Sequence, residues 1–244
     1  MDTFDTEKEF LASYNIHDFD VPLCTVDMCI FTVKDGKLQI LLTKRGQFPK
    51  KNQWALPGGF IDQRRDKNLD ETAFRKLREK TGVASPYLEQ VATIGGSKRD
   101  PRGWALTVLY FALIPHEDTE LKVDASSFEV SWVPVDHAMS LKLAFDHNEL
   151  LKLSKERLRN KALYTSLPVH LLKNSFTLPL LQRTYEIILN TTLQKKSFRK
   201  RFLDAGIIEE TGGKEPGVSK PALLYRLIDS NKVHIFPRTL ESAM

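Results

Sequence analysis

Trp54-Ala55-Leu56-Pro57-Gly58-Gly59-Phe60-Ile61-Asp62, followed after a short insert by Arg75-Lys76-Leu77-Arg78-Glu79-Lys80-Thr81-Gly82-Val83, decides how the first half of this chain is read. The first block holds a Gly/Pro-rich turn. The second ends an amphipathic helix expected over Leu69 to Thr81: Leu69, Ala73 and Leu77 recur every four residues, and Gly82 stands where helices stop. Positions 76, 79 and 80 are i, i+3 and i+4, so Lys76, Glu79 and Lys80 share one helix face. Glu71 lies two turns before Glu79 on the same side.

Working outward, Leu23 to Lys44 alternates apolar and polar on its first arm (Val26, Met28, Ile30), turns at Asp35-Gly36, and continues as Leu38 to Leu42. That pattern predicts a β-hairpin. Further strands are expected at Leu88 to Ile94, Trp104 to Ile114 and Glu129 to Pro134, giving a mixed sheet with interleaved helices, an α/β or α+β fold. Lys98-Arg99-Asp100-Pro101-Arg102-Gly103-Trp104 is a basic loop feeding a strong strand. Arg99 and Arg102 offer planar forks for phosphate, and Trp104 or Phe60 offers a face for a base. The competing reading is a solvated turn.

Phe145 to Ala162 reads as a helix between two halves. Leu178, Leu181, Tyr185 and Ile188 then form one apolar stripe on a helix that tolerates Pro179 in its first turn. In Gln194 to Gly206, Phe198, Phe202 and Ala205 share one side, while Ser197, Lys200, Arg201 and Asp204 share the other, with Ser197 expected to cap the helix. An aromatic anchor opposite a basic stripe suits a helix in a DNA major groove. Ile207 to Glu210, a Gly/Pro-rich tip from Thr211 to Pro221, and Ala222 to Ile228 complete a β-hairpin whose Lys214 and Lys220 can reach phosphates. Helix, basic helix and hairpin in that order read as a winged helix-turn-helix.

Charge supports the division. Of the 244 residues, 1 to 164 hold 24 Lys+Arg against 24 Asp+Glu, and 165 to 244 hold 12 against 7, so the net +5 belongs to the last third. A basic module of that kind points to a polyanionic partner. There is no run of eighteen apolar residues and no basic-then-apolar start, so neither a membrane span nor a secretory signal is expected and a cytoplasmic location is. Cys24 and Cys29 read as reduced core residues.

Together, Leu-Pro-Gly-Gly-Phe-Ile-Asp at 56–62, Arg-Lys-Leu-x-Glu-Lys-Thr at 75–81, Leu-Ala-Phe-Asp-His at 143–147 and Lys-Ser-Phe-Arg-Lys-Arg at 196–201 resemble the NrtR family of Nudix-related transcriptional regulators of NAD metabolism. The resemblance implies a Nudix-like α/β/α sandwich with a mixed sheet, followed by a winged helix-turn-helix domain. It implies a homodimeric repressor on palindromic double-stranded operator DNA, released by ADP-ribose or a related nucleotide, with no cofactor required. The domains expected are an extension at 1–20, a sensing domain at 21–145, a linker helix at 146–165 and a DNA-binding domain at 166–244.

In hydrolases with this box, three helix carboxylates hold magnesium against a diphosphate. Two of them are lysine here, which turns a formal −3 into +1, a face that repels magnesium yet suits a diphosphate. No catalytic or metal residues are therefore assigned. The effector-binding set is Gly58, Gly59, Phe60, Asp62, Lys76, Glu79, Lys80, Arg99, Asp100, Arg102 and Trp104. The DNA-binding set is Lys195, Lys196, Ser197, Arg199, Lys200, Arg201, Lys214, Ser219 and Lys220. The wing reads Ser219-Lys220-Pro221-Ala222 where the family has Gly-Arg-Pro-Ala, which keeps the charge and loses arginine's fork. Two alternatives stand beside this: an active ADP-ribose hydrolase using Glu79 and Glu71, and an adaptor for single-stranded nucleic acid or RNA.

Overall fold

The chain is described from a computed structural model over residues 4–82, 87–123, 127–217 and 219–240. Val83 of the quoted helix end, Val218 in the expected wing tip and the outermost residues of the expected terminal segments lie outside that range.

β1 (Leu23–Lys34) is the centre of the larger sheet. It runs parallel to β6 (Ala105–Leu113) from Leu23↔Ala105 to Phe31↔Leu113, and antiparallel to β2 (Lys37–Arg45) from Phe31↔Ile40 to Lys34↔Lys37. Asp35 at φ 51° and Gly36 at φ 69° make the two-residue turn between β1 and β2, the left-handed pair that such a hairpin requires. β5 (Tyr87–Gly96) flanks β6; β3 (Trp54–Ala55) and β7 (Ser127–Pro134) flank β2. The short β4 (Gly58–Phe60) pairs with Thr25–Asp27 of β1.

The alternation along β1 sorts its side chains between two covering layers. Val26, Met28 and Ile30 join Val108, Tyr110 and Ala112 beneath Ala73 and Leu77 of α2 (Leu69–Thr81). Cys29 and Phe31 join Leu109, Phe111 and Leu113 beneath Leu150, Leu151 and Leu158 of α4 (His147–Tyr164). Both faces are thus covered, which is why the strand is buried almost throughout rather than on alternate residues. Of the two cysteines, Cys29 is in this core; Cys24 is only half-buried, a correction to the expected core position.

α2 begins at Asn68, whose side chain accepts from the Glu71 amide, and stops at Gly82 with φ 71°. Those caps and the apolar spacing account for its limits. A short α1 (Glu7–Ser13) precedes the sheet and α3 (Val135–Ser140) follows β7.

The C-terminal part comprises α5 (Leu178–Leu189), α6 (Lys195–Asp204) and a three-stranded sheet ordered β8 (Phe176–Thr177), β10 (Leu223–Leu227), β9 (Ile208–Lys214). Thr177 caps α5 and Pro179 sits in its first turn. α6 is capped by Gln194, whose side chain accepts from the Ser197 amide; the expected capping by Ser197 itself does not occur, because the helix starts two residues earlier. Phe198 and Phe202 pack edge-on against Tyr185 at 5.2 and 5.6 Å, and Phe202 against Phe236 at 5.1 Å. Residues 234–240 return over the end of α4: Phe236 donates to the Tyr164 carbonyl and Leu240 to that of Leu163. One apolar core therefore runs from the sheet through α4 into α5 and α6. No helix among the described residues is long and apolar enough to cross a membrane.

Candidate functional site

Two glycines set the wall of a cleft of about 900 Å³ on the α2 side of β4. A Cβ on Gly58 would stand 2.3 Å from Asp27 Oδ1 and 2.5 Å from the Val26 carbonyl, so only glycine lets β4 lie against β1. Gly59 has φ 153° and a Cβ there would come within 3.2 Å of Lys76 Cε, so its lack of a side chain leaves room for that lysine. Beyond β4, the turn from Asp62 to Asp66 is tied to α2 through Asp66. Its nearly buried carboxylate accepts from Arg75 Nε (2.7 Å) and Nη2 (2.6 Å), from Thr72 Oγ1 (2.9 Å) and from the Asp62 amide (3.0 Å). The Arg75 guanidinium holds Asp66 well below the usual carboxylate range. The anchored turn presents Arg64 and Arg65 at the rim.

The opposite wall comes from the β5–β6 connection and the start of α4. Arg99, whose side chain is 9% exposed, places Nε 2.9 Å and Nη2 3.0 Å from the two oxygens of Asp146, with Asp27 at 3.5 Å. Burial works against its charge, but the bond to Asp146 and the charges of Asp146 and Asp27 outweigh it and raise its pKa. Arg102 forks onto Asp100 at 3.0 and 2.7 Å, holding that carboxyl below its ordinary range, and lies 5.2 Å over the Phe60 ring. Buried His147 accepts from the Leu56 amide through Nδ1 at 2.9 Å, and Nε2 faces Asp27 at 3.9 Å. Desolvation lowers the pKa of His147, so it is neutral at pH 7. Arg45 lies 4.8 Å over Phe145, with its own pKa lowered by burial.

Of the expected effector residues, Gly58, Gly59, Phe60, Asp62, Lys76, Glu79, Lys80, Arg99, Asp100 and Arg102 all line this cleft. Trp104 does not: it is 52% exposed and lies across Gly95, where a Cβ would meet its ring at 2.7 Å. Lys76 and Lys80 also part company. Lys76 stands at the Gly59 wall, 3.4 Å from Glu79, whereas Lys80 is 4% exposed and donates to Ser127 Oγ at 3.0 Å. Sequence reasoning left Arg45, Phe145, Arg64, Arg65, Asp27 and His147 out of the effector set, although Phe145 and His147 stand in the 143–147 stretch quoted for the resemblance. The pair Arg64-Arg65 was visible as a charge run next to Asp62; the others are brought in by tertiary structure. The cleft collects eight Arg or Lys against four Asp or Glu; with Asp66 and Asp146, which pair with Arg75 and Arg99 from just outside the lining, the cations still outnumber the carboxylates by two, an excess that favours anions. Glu79 is held by Arg75 at 3.2 Å as well as by Lys76, and Glu71 accepts from the Lys67 amide instead of turning to the cleft.

At the other end of the molecule, Lys195, Lys196, Ser197 and Lys200 are exposed on α6, and Lys214, Ser219 and Lys220 are exposed on the wing. Lys200 pairs with Asp204 at 2.7 Å. Arg199 is half-buried on the helix flank. Arg201 is turned inward, contrary to its expected place on the outward stripe. Its guanidinium lies 4.1 Å over Phe236 and Nη2 donates to the Leu163 carbonyl at 3.4 Å, because at this position the helix faces the returning C-terminal segment.

Comparison with known proteins agrees with both ends. Residues 25–153 match the NUDIX domain family and residues 168–227 the NrtR DNA-binding winged helix domain. The chain is 50% identical over 238 residues, 98% of its length and 95% of the relative's, to the ADPR responsive transcriptional repressor NtrR of Acinetobacter baylyi. It is similar to Shewanella oneidensis NrtR complexed with a 27mer DNA, with 41% identity and a TM-score of 0.82, covering 89% of this chain and 99% of that one. It is also similar to the NUDIX domain of the same protein complexed with ADP ribose, with 44% identity and a TM-score of 0.59, covering 63% of this chain and 99% of that one. By this near full-length likeness, and by carrying both domains in the same order, the chain belongs to the NrtR family of Nudix-related transcriptional regulators.

Proposed function

We propose that this chain is a transcriptional repressor that binds double-stranded operator DNA through α6 and the wing and is released when ADP-ribose, or a close NAD-derived nucleotide, binds the basic cleft. The observation that carries the reading is the excess of cations in a cleft walled by Gly58 and Gly59, in a chain whose other end exposes Lys195, Lys196 and Lys200. In this reading residues 21–145 form the sensing domain, 146–165 join it to the rest, and 166–244 form the DNA-binding domain. The active unit is a homodimer, because two recognition helices match the halves of a palindrome, and its targets are NAD biosynthesis or salvage genes.

Lys76, Arg99 and Arg102 supply the positive charge facing the diphosphate, and Phe60 supplies a stacking face. Lys195, Lys196, Ser197, Lys200, Lys214, Ser219 and Lys220 meet the DNA. The chain acts as a regulator rather than a hydrolase: Glu79 is engaged by two cations and Glu71 by backbone, which supports the loss of a magnesium site on α2. Incubation of the protein with ADP-ribose and magnesium, followed by quantification of AMP, tests this. Negligible turnover alongside selective duplex binding is expected; turnover at ordinary enzyme rates, about 1 per second or more, would place the chain among the hydrolases.

A further inference from the structure

The forks of Arg99 and Arg102 are already occupied by carboxylates of the chain, and the partner of Arg99 is unusual. Asp146 is the residue before the first turn of α4, the N-cap position, where aspartate ordinarily accepts a hydrogen bond from the helix's own amides. It makes no such bond: its backbone, at φ −98° and ψ 19°, is not in the extended conformation of a capping residue, and its two oxygens accept from Arg99 instead. A phosphate can use the same fork of Arg99 only by displacing Asp146. The displaced carboxylate then has an alternative at the positive end of α4, the amide of Asn148, while those of His147, Glu149 and Leu150 already donate to the Ala144 and Asp146 carbonyls.

We propose that Asp146 is the residue through which the cleft controls the DNA-binding end: it pairs with Arg99 in one state and caps α4 in the other, as nucleotide phosphate takes its place. This rests on the regulator reading above and adds how the two sites communicate. α4 spans ~27 Å at 1.5 Å per residue, and its far end is fastened to the winged helix. The carbonyls of Leu163 and Tyr164 accept from Leu240 and Phe236, and Leu163 also accepts from Arg201 of α6. The carbonyl of Thr165 accepts from the Tyr185 hydroxyl at 2.7 Å, and Tyr185 carries Phe198 and Phe202 of α6. Leu150, Leu151, Leu158 and Ala162 are fully packed, so a change in the first turn of α4 is passed along a rigid element.

Substitutions of Asp146 separate its two partners. Asp146→Asn and Asp146→Ser lose the charge and the two-oxygen fork that hold Arg99 yet remain good caps; Asp146→Ala neither holds Arg99 nor caps the helix. Anisotropy on a duplex that the wild type binds selectively gives the affinity with and without saturating ADP-ribose, and calorimetry gives nucleotide affinity. Thermal melting confirms that each variant is folded, and two capping variants guard against the loss of one. Given an ordinary coupling of ~5–150-fold, Asp146→Asn and Asp146→Ser should lose most of that factor in operator affinity before nucleotide is added. They should also bind ADP-ribose several-fold more tightly than the wild type. Asp146→Ala should retain more operator affinity than either.

Wild-type coupling in Asp146→Asn, or nucleotide affinity that is unchanged or weaker, overturns the proposal; equal behaviour of Asp146→Ala and Asp146→Asn overturns the capping half. If ADP-ribose fails to release the wild type itself, the regulator reading fails before the variants are compared.

Discussion

Replacing Asp66 with alanine tests whether the turn beside the cleft is held as the geometry implies. The carboxylate is 2% exposed and accepts four hydrogen bonds, two of them from Arg75, whose side chain is 14% exposed. Removing one partner of a buried pair costs about 3–5 kcal/mol. The lower end, about 3 kcal/mol, applies here because Arg75 keeps Glu79 at 3.2 Å as a second partner. For a chain of this size that is a fall of about 6–12 °C in melting temperature.

Asp66 has a depressed pKa in the folded state, so its contribution is complete above the unfolded value of about 3.9 and is lost as pH falls toward the folded value. The gap between wild type and Asp66→Ala should therefore be constant from pH 7 to about 5 and narrow below about 4. Circular dichroism melts across that range read both quantities. A gap under about 1 kcal/mol at pH 7, the scale of an exposed pair, or one that widens as the pH is lowered, would refute the reasoning.

Gly58→Ala should weaken ADP-ribose binding at least tenfold in calorimetry and cost about 1–3 kcal/mol of stability, since the new Cβ would meet the Val26 backbone and no rotamer avoids it. Lys196→Ala should weaken binding to all duplexes alike and reduce the slope of log affinity against log salt by about 1; an unchanged slope would remove Lys196 from the phosphate contacts. Arg201→Ala should lower stability by about 1–2 kcal/mol, as expected for the loss of a half-buried cation–π contact and a hydrogen bond to Leu163, while leaving that salt slope as it was. A slope reduced as in Lys196→Ala would put Arg201 on the DNA after all.

What was legible in the sequence follows physical locality. Helix α2 is written in adjacent residues, with an apolar stripe along it and Gly82 after it, and the β1–β2 turn is written in Asp35-Gly36. The cleft's glycine wall and its basic loop were equally visible. The partners of the arginines were not: Asp146 is far from Arg99 in sequence, and only the fold decides whether a guanidinium meets a carboxylate or water. Trp104 went astray for a similar reason, because Gly95 on the neighbouring strand provides a bed for its ring that no local pattern reveals. Arg201 lies on the polar side of α6 by helical periodicity, yet the segment at 234–240 folds back over its side chain and leaves it half-buried.

The central claim, that one chain joins a nucleotide-sensing cleft to a DNA-reading helix, is tested most directly by fluorescence anisotropy. The protein is titrated onto duplex DNA from upstream of its own gene and of NAD genes at fixed salt, and ADP-ribose is then added without metal. Selective binding that ADP-ribose reverses is the predicted result; duplex binding without sequence preference, or selective binding that ADP-ribose leaves intact, would contradict it.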